Sequence, residues 1–271
     1  WRKRTQHTSW YNETLNTSIR GARKEFPSVA VIVAEDNAVI IYDADEPDTP
    51  MWMKIKTTHS IFGRSYAWSA VSCCSMVNGV LILGNASNSA EGLVAVNFVS
   101  DNGYLYPLSG YSTYGGLYTL GIGSRTDSYD YDTSGSTVLV GAPVHDCSMT
   151  VLPSAPIDSD TRLPIPTIAV ATGQGLSVIK DNGNVVDIVI GSGGYNIIKS
   201  VDVTPDNYIA WRHNDTRSAK AAPIPEADKS YGFWTYGQDA NNDAYNYYES
   251  HAFASNLGNI PALVSVGGGL N

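Results

Sequence analysis

The chain has 271 residues, enough to bury a large core, and 43% are hydrophobic against 16% charged, which excludes a disordered polymer. A formal net charge of −9 argues against a nucleic-acid groove, which needs clustered Lys and Arg. No apolar run reaches the length of a membrane-spanning helix, and 25 Gly, 13 Pro and 17 Tyr favour turns and strands over helices.

In chain order, residues 1–26 read as a polar, aromatic-bearing N-terminal arm. It carries the main basic cluster, Arg2-Lys3-Arg4 with Arg20, Arg23 and Lys24, read as a solvated segment. One short helix is expected over Thr14 to Lys24, capped by Thr14 or Asn16. Opening on Trp1 rather than Met, the chain is expected to be a processed or trimmed polypeptide.

From residue 27 onward the sequence reads as strands. Val29 to Val33, a turn at Asp36-Asn37, and Val39 to Tyr42 form a hairpin, with Met51 to Ile55 outside it. Val71 to Met76 turns at Asn78-Gly79 into the apolar run Val80 to Gly84. Gly92 to Phe98 follows, then Asp101-Asn102-Gly103, then Tyr104 to Tyr106. Asn-Gly between apolar runs is a strong hairpin signal, since both turn positions accept positive φ.

The order then recurs. Val144 to Met149 shares Cys-Ser-Met with the first unit, and after a Pro-rich insertion (Pro153 to Pro166) come Thr167 to Thr172 and Gly175 to Ile179. Asp181-Asn182-Gly183 and Val185 to Ile188 complete that unit. Ser200 to Thr204 and Tyr208 to Trp211 flank a further turn at Pro205-Asp206-Asn207. Pro261 to Leu270 repeats the opening of another unit.

Central strands apolar on both faces need cover on both sides, and repeated four-stranded meanders provide it by stacking radially. The expected fold is therefore all-β, a β-propeller of four-stranded antiparallel blades, incomplete in these residues. A β-sandwich explains the short strands but not the in-register recurrence. Blade-like units are expected at about 27–66, 68–118, 138–196 and 197–248, with a partial unit at 250–271.

Cys73, Cys74 and Cys147 lack metal-ligand spacing and read as reduced, small core or near-core residues. Neighbouring strand residues face opposite ways, so Cys73 and Cys74 should not share one core. Asp127, Asp130 and Asp132 cluster in a Gly-bearing loop, the oxygen-ligand pattern of calcium, against the blander reading of an exposed polar loop. Asp239, Asn241 and Asp243 have the first spacings of a calcium loop. Ala244 stands where an EF-hand needs Gly, which leaves only a looser site.

His145-Asp146 and His213 lack a nucleophile or paired carboxylate nearby in sequence, and no catalytic residue is assigned. Tyr111, Tyr114, Tyr118, Tyr129, Tyr131, Trp234, Tyr236 and Tyr247 stand among Gly, Ser, Asn and Asp. They read either as ligand-stacking loop aromatics or as cover for blade edges.

The stretch from Trp1-Arg-Lys-Arg-Thr-Gln-His-Thr-Ser-Trp10 through Arg20-Gly-Ala-Arg-Lys-Glu-Phe-Pro27 resembles large virion-associated proteins of marine tailed phages. So do Val29 to Glu35, Ile41-Tyr-Asp-Ala-Asp45, Pro50 to Met53, Met149 to Asp158, and Ile168 to Asp181. The likeness covers the first 200 or so residues and transfers no functional residue. It implies a tail-fibre, spike or other virion-surface component in a symmetric assembly.

The expected function is a non-enzymatic virion structural or host-recognition module. Its partners would be other virion proteins or further copies of itself, and a host-surface glycan, with calcium the one cofactor to test. One rival is a polysaccharide-degrading tail enzyme, which needs carboxylates converging at one mouth of the propeller. The other is a secreted bacterial adhesion or scaffold domain.

Overall fold

A computed structural model describes residues 4–35, 38–57, 70–87, 91–109, 115–125, 131–132, 137–190, 197–213, 219–231 and 245–247. Among them, helix is confined to two 3-10 turns, Trp10–Asn12 and Ile122–Ser124, and the rest is strand and loop. The expected helix over Thr14 to Lys24 does not form; Arg20 instead makes an isolated bridge to Met53.

The first sheet contains β1 (Ala30–Glu35), β2 (Ala38–Asp43) and β3 (Met51–Lys56) in antiparallel order. The second is the meander β4 (Val71–Val77), β5 (Val80–Asn85), β6 (Glu91–Asn97) and β7 (Asn102–Pro107). Two short strands, β8 (Gly116–Tyr118) and β9 (Tyr131–Asp132), extend it outward. The third is β10 (Val144–Thr150), β11 (Thr167–Thr172), β12 (Gly175–Ile179) and β13 (Val185–Ile190). The fourth starts with β14 (Ile198–Val203), β15 (Tyr208–His213) and β16 (Ala219–Pro223). Next in the chain, β17 (Lys229–Tyr231) pairs parallel with β13, and β18 (Tyr245–Tyr247) pairs antiparallel with β16.

Turn chemistry fixes the register. Asn78 (φ 51°) and Gly79 (φ 78°) both take the left-handed conformation that a two-residue hairpin requires, and Val77 pairs with Val80 across it. The second and third sheets exceed four strands because later segments pair with the outer edge, where unpaired backbone groups would otherwise remain.

Alternation within each central strand then builds the stack. Leu81 and Leu83 of β5 pack toward the first sheet, while Ile82 packs toward the third. Ile168 and Val170 of β11 meet that same core, and Ala169 and Ala171 turn to the fourth sheet. Three buried clusters therefore lie between successive sheets, and each middle sheet feeds two of them. The first strands β4, β10 and β14 lie next to one another along the inner edge. Radially stacked antiparallel meanders with adjacent inner strands are the architecture of a β-propeller.

The arm departs from expectation, because it belongs to the core. Trp10 is fully buried against Trp52 and Phe98, with ring centroids 5.3 and 6.1 Å away, and its Nε1 donates to the Phe98 carbonyl at 2.9 Å. Residues 19–21 lie along the free edge of β3. Gly21 N donates to Trp52 O at 3.0 Å, and Lys54 N donates to Ile19 O at 2.9 Å. A Cβ on Gly21 would sit 1.8 Å from Met51 O, so only glycine fits there.

The basic cluster is solvated only in part: Arg4 and Lys24 are exposed, whereas Arg20 and Arg23 are ion-paired. Arg20 is buried, its Nε 3.1 Å from Glu13 Oε2, and it donates to Trp52 O at 2.7 Å and Lys24 O at 3.0 Å. Arg4 donates to Thr161 O at 3.1 Å, while Arg2 and Lys3 lie outside the described residues. Arg23 bridges Asp43 and Asp45, 2.8 Å from each. Amide donation from Ser28, then Arg23, holds the Asp45 carboxyl down at about 2. A carboxyl depressed on folding stabilises above its unfolded value and loses that contribution as pH falls through the folded one. Carboxyl-carbon NMR should show Asp45 titrating near 2, and a normal midpoint would contradict the bonding described here.

Cys73 packs toward Cys147 in the core between the second and third sheets, whereas Cys74 faces the other way and is exposed. Cys74 therefore departs from the near-core expectation. Burial, then contact with Cys73, pushes the Cys147 thiol well up. A short iodoacetamide pulse on native protein should label Cys74 and spare Cys147, as read by peptide mass mapping. Equal labelling of the two would contradict this packing.

Candidate functional site

Chain direction alternates between neighbouring strands, so the loops after β10, β12, β14 and β16 all emerge at one end of the third and fourth sheets. They enclose a groove of about 450 Å³, within the about 300–1,000 Å³ typical of small-molecule sites. Leu152, Pro153 and Ile224 give it apolar walls, and Asp181, Asn182, Asp206 and Asn207 line its rim. Lys180 and Glu226 close one side with an ion pair of 2.8 Å. Hydrogen bonding to Lys180 lowers the Glu226 pKa, and the carboxylate is almost wholly exposed.

Several rim groups are held by local bonds. Asn182 Oδ1 accepts from Asn184 N at 3.0 Å, and Asp206 accepts from the Thr204 hydroxyl. Asn207 adopts φ 68°, and its carbonyl accepts from Ile224 N at 3.0 Å, tying two of the loops together. Thr167 lies deeper. It shares strand parity with Ala169 and Ala171, so its side chain points between the third and fourth sheets, where the groove lies. Its hydroxyl is buried and has no hydrogen-bond partner, a state native proteins seldom leave unfilled.

A second polar constellation runs along the inner strands. Asp146 accepts from Val201 N at 3.0 Å and Cys147 N at 2.9 Å, satisfying an edge amide of β14. Burial raises its pKa, and these two amides oppose the rise. Ser148 donates to Asp202 at 2.8 Å. His213 is buried on β15.

Of the aromatic candidates, Tyr118 is fully buried and donates to Ser124 O at 2.8 Å. This corrects the loop-aromatic reading for Tyr118, because β8 carries the ring into the core shared with Trp10. Tyr131 and Tyr247 fall on β9 and β18, and only the backbone of these two residues is described. Tyr111, Tyr114, Tyr129, Trp234 and Tyr236 lie outside the described residues, as do Asp127, Asp130, Asp239, Asn241 and Asp243. Asp132 is exposed on β9. Among the described residues, no three His, Cys, Asp or Glu side chains converge on a possible metal position, and no helix is long and apolar enough to cross a membrane.

The groove escaped sequence reading because its parts come from four separate loops. The signals were present as turn residues, Asp181-Asn182 and Asp206-Asn207, at equivalent ends of their hairpins. Only the stacking of the third sheet on the fourth brings them together.

No protein-family model matches the chain, and no curated protein matches it. Among solved structures it is similar to Hsv2 of Kluyveromyces lactis, at 16% identity over 74% of this chain and 47% of that one, with a TM-score of 0.38. It is also similar to the β-propeller domain of Cps50 (Swd1) of Myceliophteria thermophila, at 9% identity over 79% and 67%, TM-score 0.33. An auxiliary nutrient-binding protein of Bacteroides thetaiotaomicron shows 10% identity over 73% and 36%, TM-score 0.35. The chain thus spans about half the length of Hsv2. Its class is that of the β-propellers, defined by the stacked sheets described above.

Proposed function

We propose that this chain is a non-enzymatic binding propeller of a virion surface, and that the groove between its third and fourth sheets takes a hydroxyl-rich host glycan. The observation carrying this reading is the buried, unpartnered Thr167 hydroxyl beneath a rim of carboxylates and amides. Such a set of donors and acceptors over apolar walls suits a sugar, whose hydroxyls both donate and accept. Other virion proteins or further copies of this chain are the partners this reading requires.

A glycan array probed with the chain should give hits that Asp181→Ala with Asp206→Ala abolishes, and antibody labelling should decorate virions. A silent array together with unlabelled virions would refute the reading. That Asp181 and Asp206 both line one groove motivates a second reading, polysaccharide cleavage. Release of reducing ends from a bound polysaccharide, lost in Asp181→Asn, would establish it.

A further inference from the structure

The inner strands share one irregularity. In β4, β10 and β14 a single extra residue interrupts the ladder at the second position, Ser72, His145 and Lys199 respectively. A bulge removes its residue from pairing and re-aims the side chain. Because β10 packs against both β4 and β14, the three bulges sit at the same end of three adjacent strands. The groove takes its residues beyond the other end of these strands, after Thr150 and Val203.

Two of the bulged side chains meet. Lys199 Nζ lies 3.3 Å from His145 Nε2. An ammonium has only N–H groups to offer, so it donates to Nε2 and leaves the imidazole proton on Nδ1. Burial, then the Lys199 charge, lowers the His145 pKa, which agrees with a neutral ring. What remains beside the charge is donors only, the two ammonium N–H groups that His145 does not take.

The nearby acids are engaged elsewhere. Asp146 is turned to the Val201 and Cys147 amides, and Asp202 to Ser148 and its neighbour Val203 N. Among the described residues no carboxylate lies within ion-pair distance of Lys199. Both side chains are only half-buried, so a ligand can reach them. A half-buried cation with no counter-charge among the described residues matches an oxoanion, which can take the two remaining ammonium N–H groups through two oxygens while the Nδ1–H, on the far side of the ring, stays outside the site.

We propose that the Lys199 ammonium, oriented by His145 Nε2, is an anion site, binding the carboxylate or sulfate group of an acidic saccharide at the propeller end opposite the groove. It does not depend on the groove. Asp181→Ala with Asp206→Ala should leave it intact, so the two readings fail separately.

The test follows the His145 ring resonances by NMR while sodium sulfate, methyl glucuronide or the neutral methyl glucoside is added at constant ionic strength. Saturable shifts are expected with sulfate and glucuronide and none with glucoside. Lys199→Met should weaken both responses at least tenfold, and the surface control Lys56→Met should change neither. Absence of a saturable shift, or an undiminished shift in Lys199→Met, overturns the site. A response to sulfate with glucuronide silent overturns the saccharide assignment. Should Lys199→Met fail to fold, the wild-type contrast between glucuronide and glucoside decides.

Discussion

Glu13→Ala is expected to lower stability by about 3–5 kcal/mol, the cost of stripping the partner from buried charge. Glu13 joins two guanidinium groups that are almost wholly out of water. Its Oε2 is 3.1 Å from Arg20 Nε, and its Oε1 accepts from Arg125 Nη1. Arg125 also donates to Lys54 O and Ile19 O, each at 3.3 Å, and to Ile122 O at 3.1 Å. The triad therefore fastens the arm, the first sheet and the loop after β8 at one point. Burial pulls the Arg20 pKa down to about 10, and Glu13 is the chief influence opposing that pull. Removing the carboxylate leaves two guanidinium groups together in the interior without it. Urea unfolding at pH 7 reads the loss directly. Glu13→Gln, which keeps the shape and one acceptor, should cost less, and a loss below about 1 kcal/mol in Glu13→Ala would place the triad in solvent.

Trp10→Ala should have a similar cost, about 3–5 kcal/mol, through the cavity left by a large ring. Trp10 packs edge-on against Trp52 and Phe98, and the Arg20 guanidinium lies 4.4 Å from the Trp52 ring centroid. Truncation removes a contact shared by the arm and two sheets, and it leaves the Phe98 carbonyl without its donor. Trp10→Phe separates the two effects, since it keeps most of the packing and loses only the hydrogen bond, about 1 kcal/mol. Thermal melts followed by circular dichroism distinguish them. A Trp10→Ala protein as stable as wild type would show that the arm is an appendage.

The contrast between strands and arm explains how much the sequence could tell. Strands β5, β6, β11 and β12 were legible because their apolar residues run unbroken between turn signals, which only two-sided burial explains. The shared Cys-Ser-Met of Cys74 to Met76 and Cys147 to Met149 correctly paired two inner strands, though nothing in it predicted their common bulge. A bulge changes pairing without changing residue type, so periodicity cannot see it. The arm was misread for another reason. Glu13, Arg20 and Arg23 look solvated by composition, yet their partners, Arg125, Trp52 and Asp43, lie far along the chain. The groove depends in the same way on contacts between hairpins, while Tyr118 shows that a Gly-rich neighbourhood does not keep an aromatic out of the core.

The way the arm is anchored also constrains the order of events during synthesis. Residues 9 and 13 leave the ribosome well before their partners Gly123 and Arg125, which follow 114 and 112 positions later. Until those residues emerge, the first sheet has its outer edge only partly guarded, and the Glu13 site lacks one of its two cations. Closure of so long a loop is slow relative to hairpin formation. The nascent chain thus passes through a stage in which complete hairpins wait for this clasp to close, and chaperones or proteases have access to that edge in the interval.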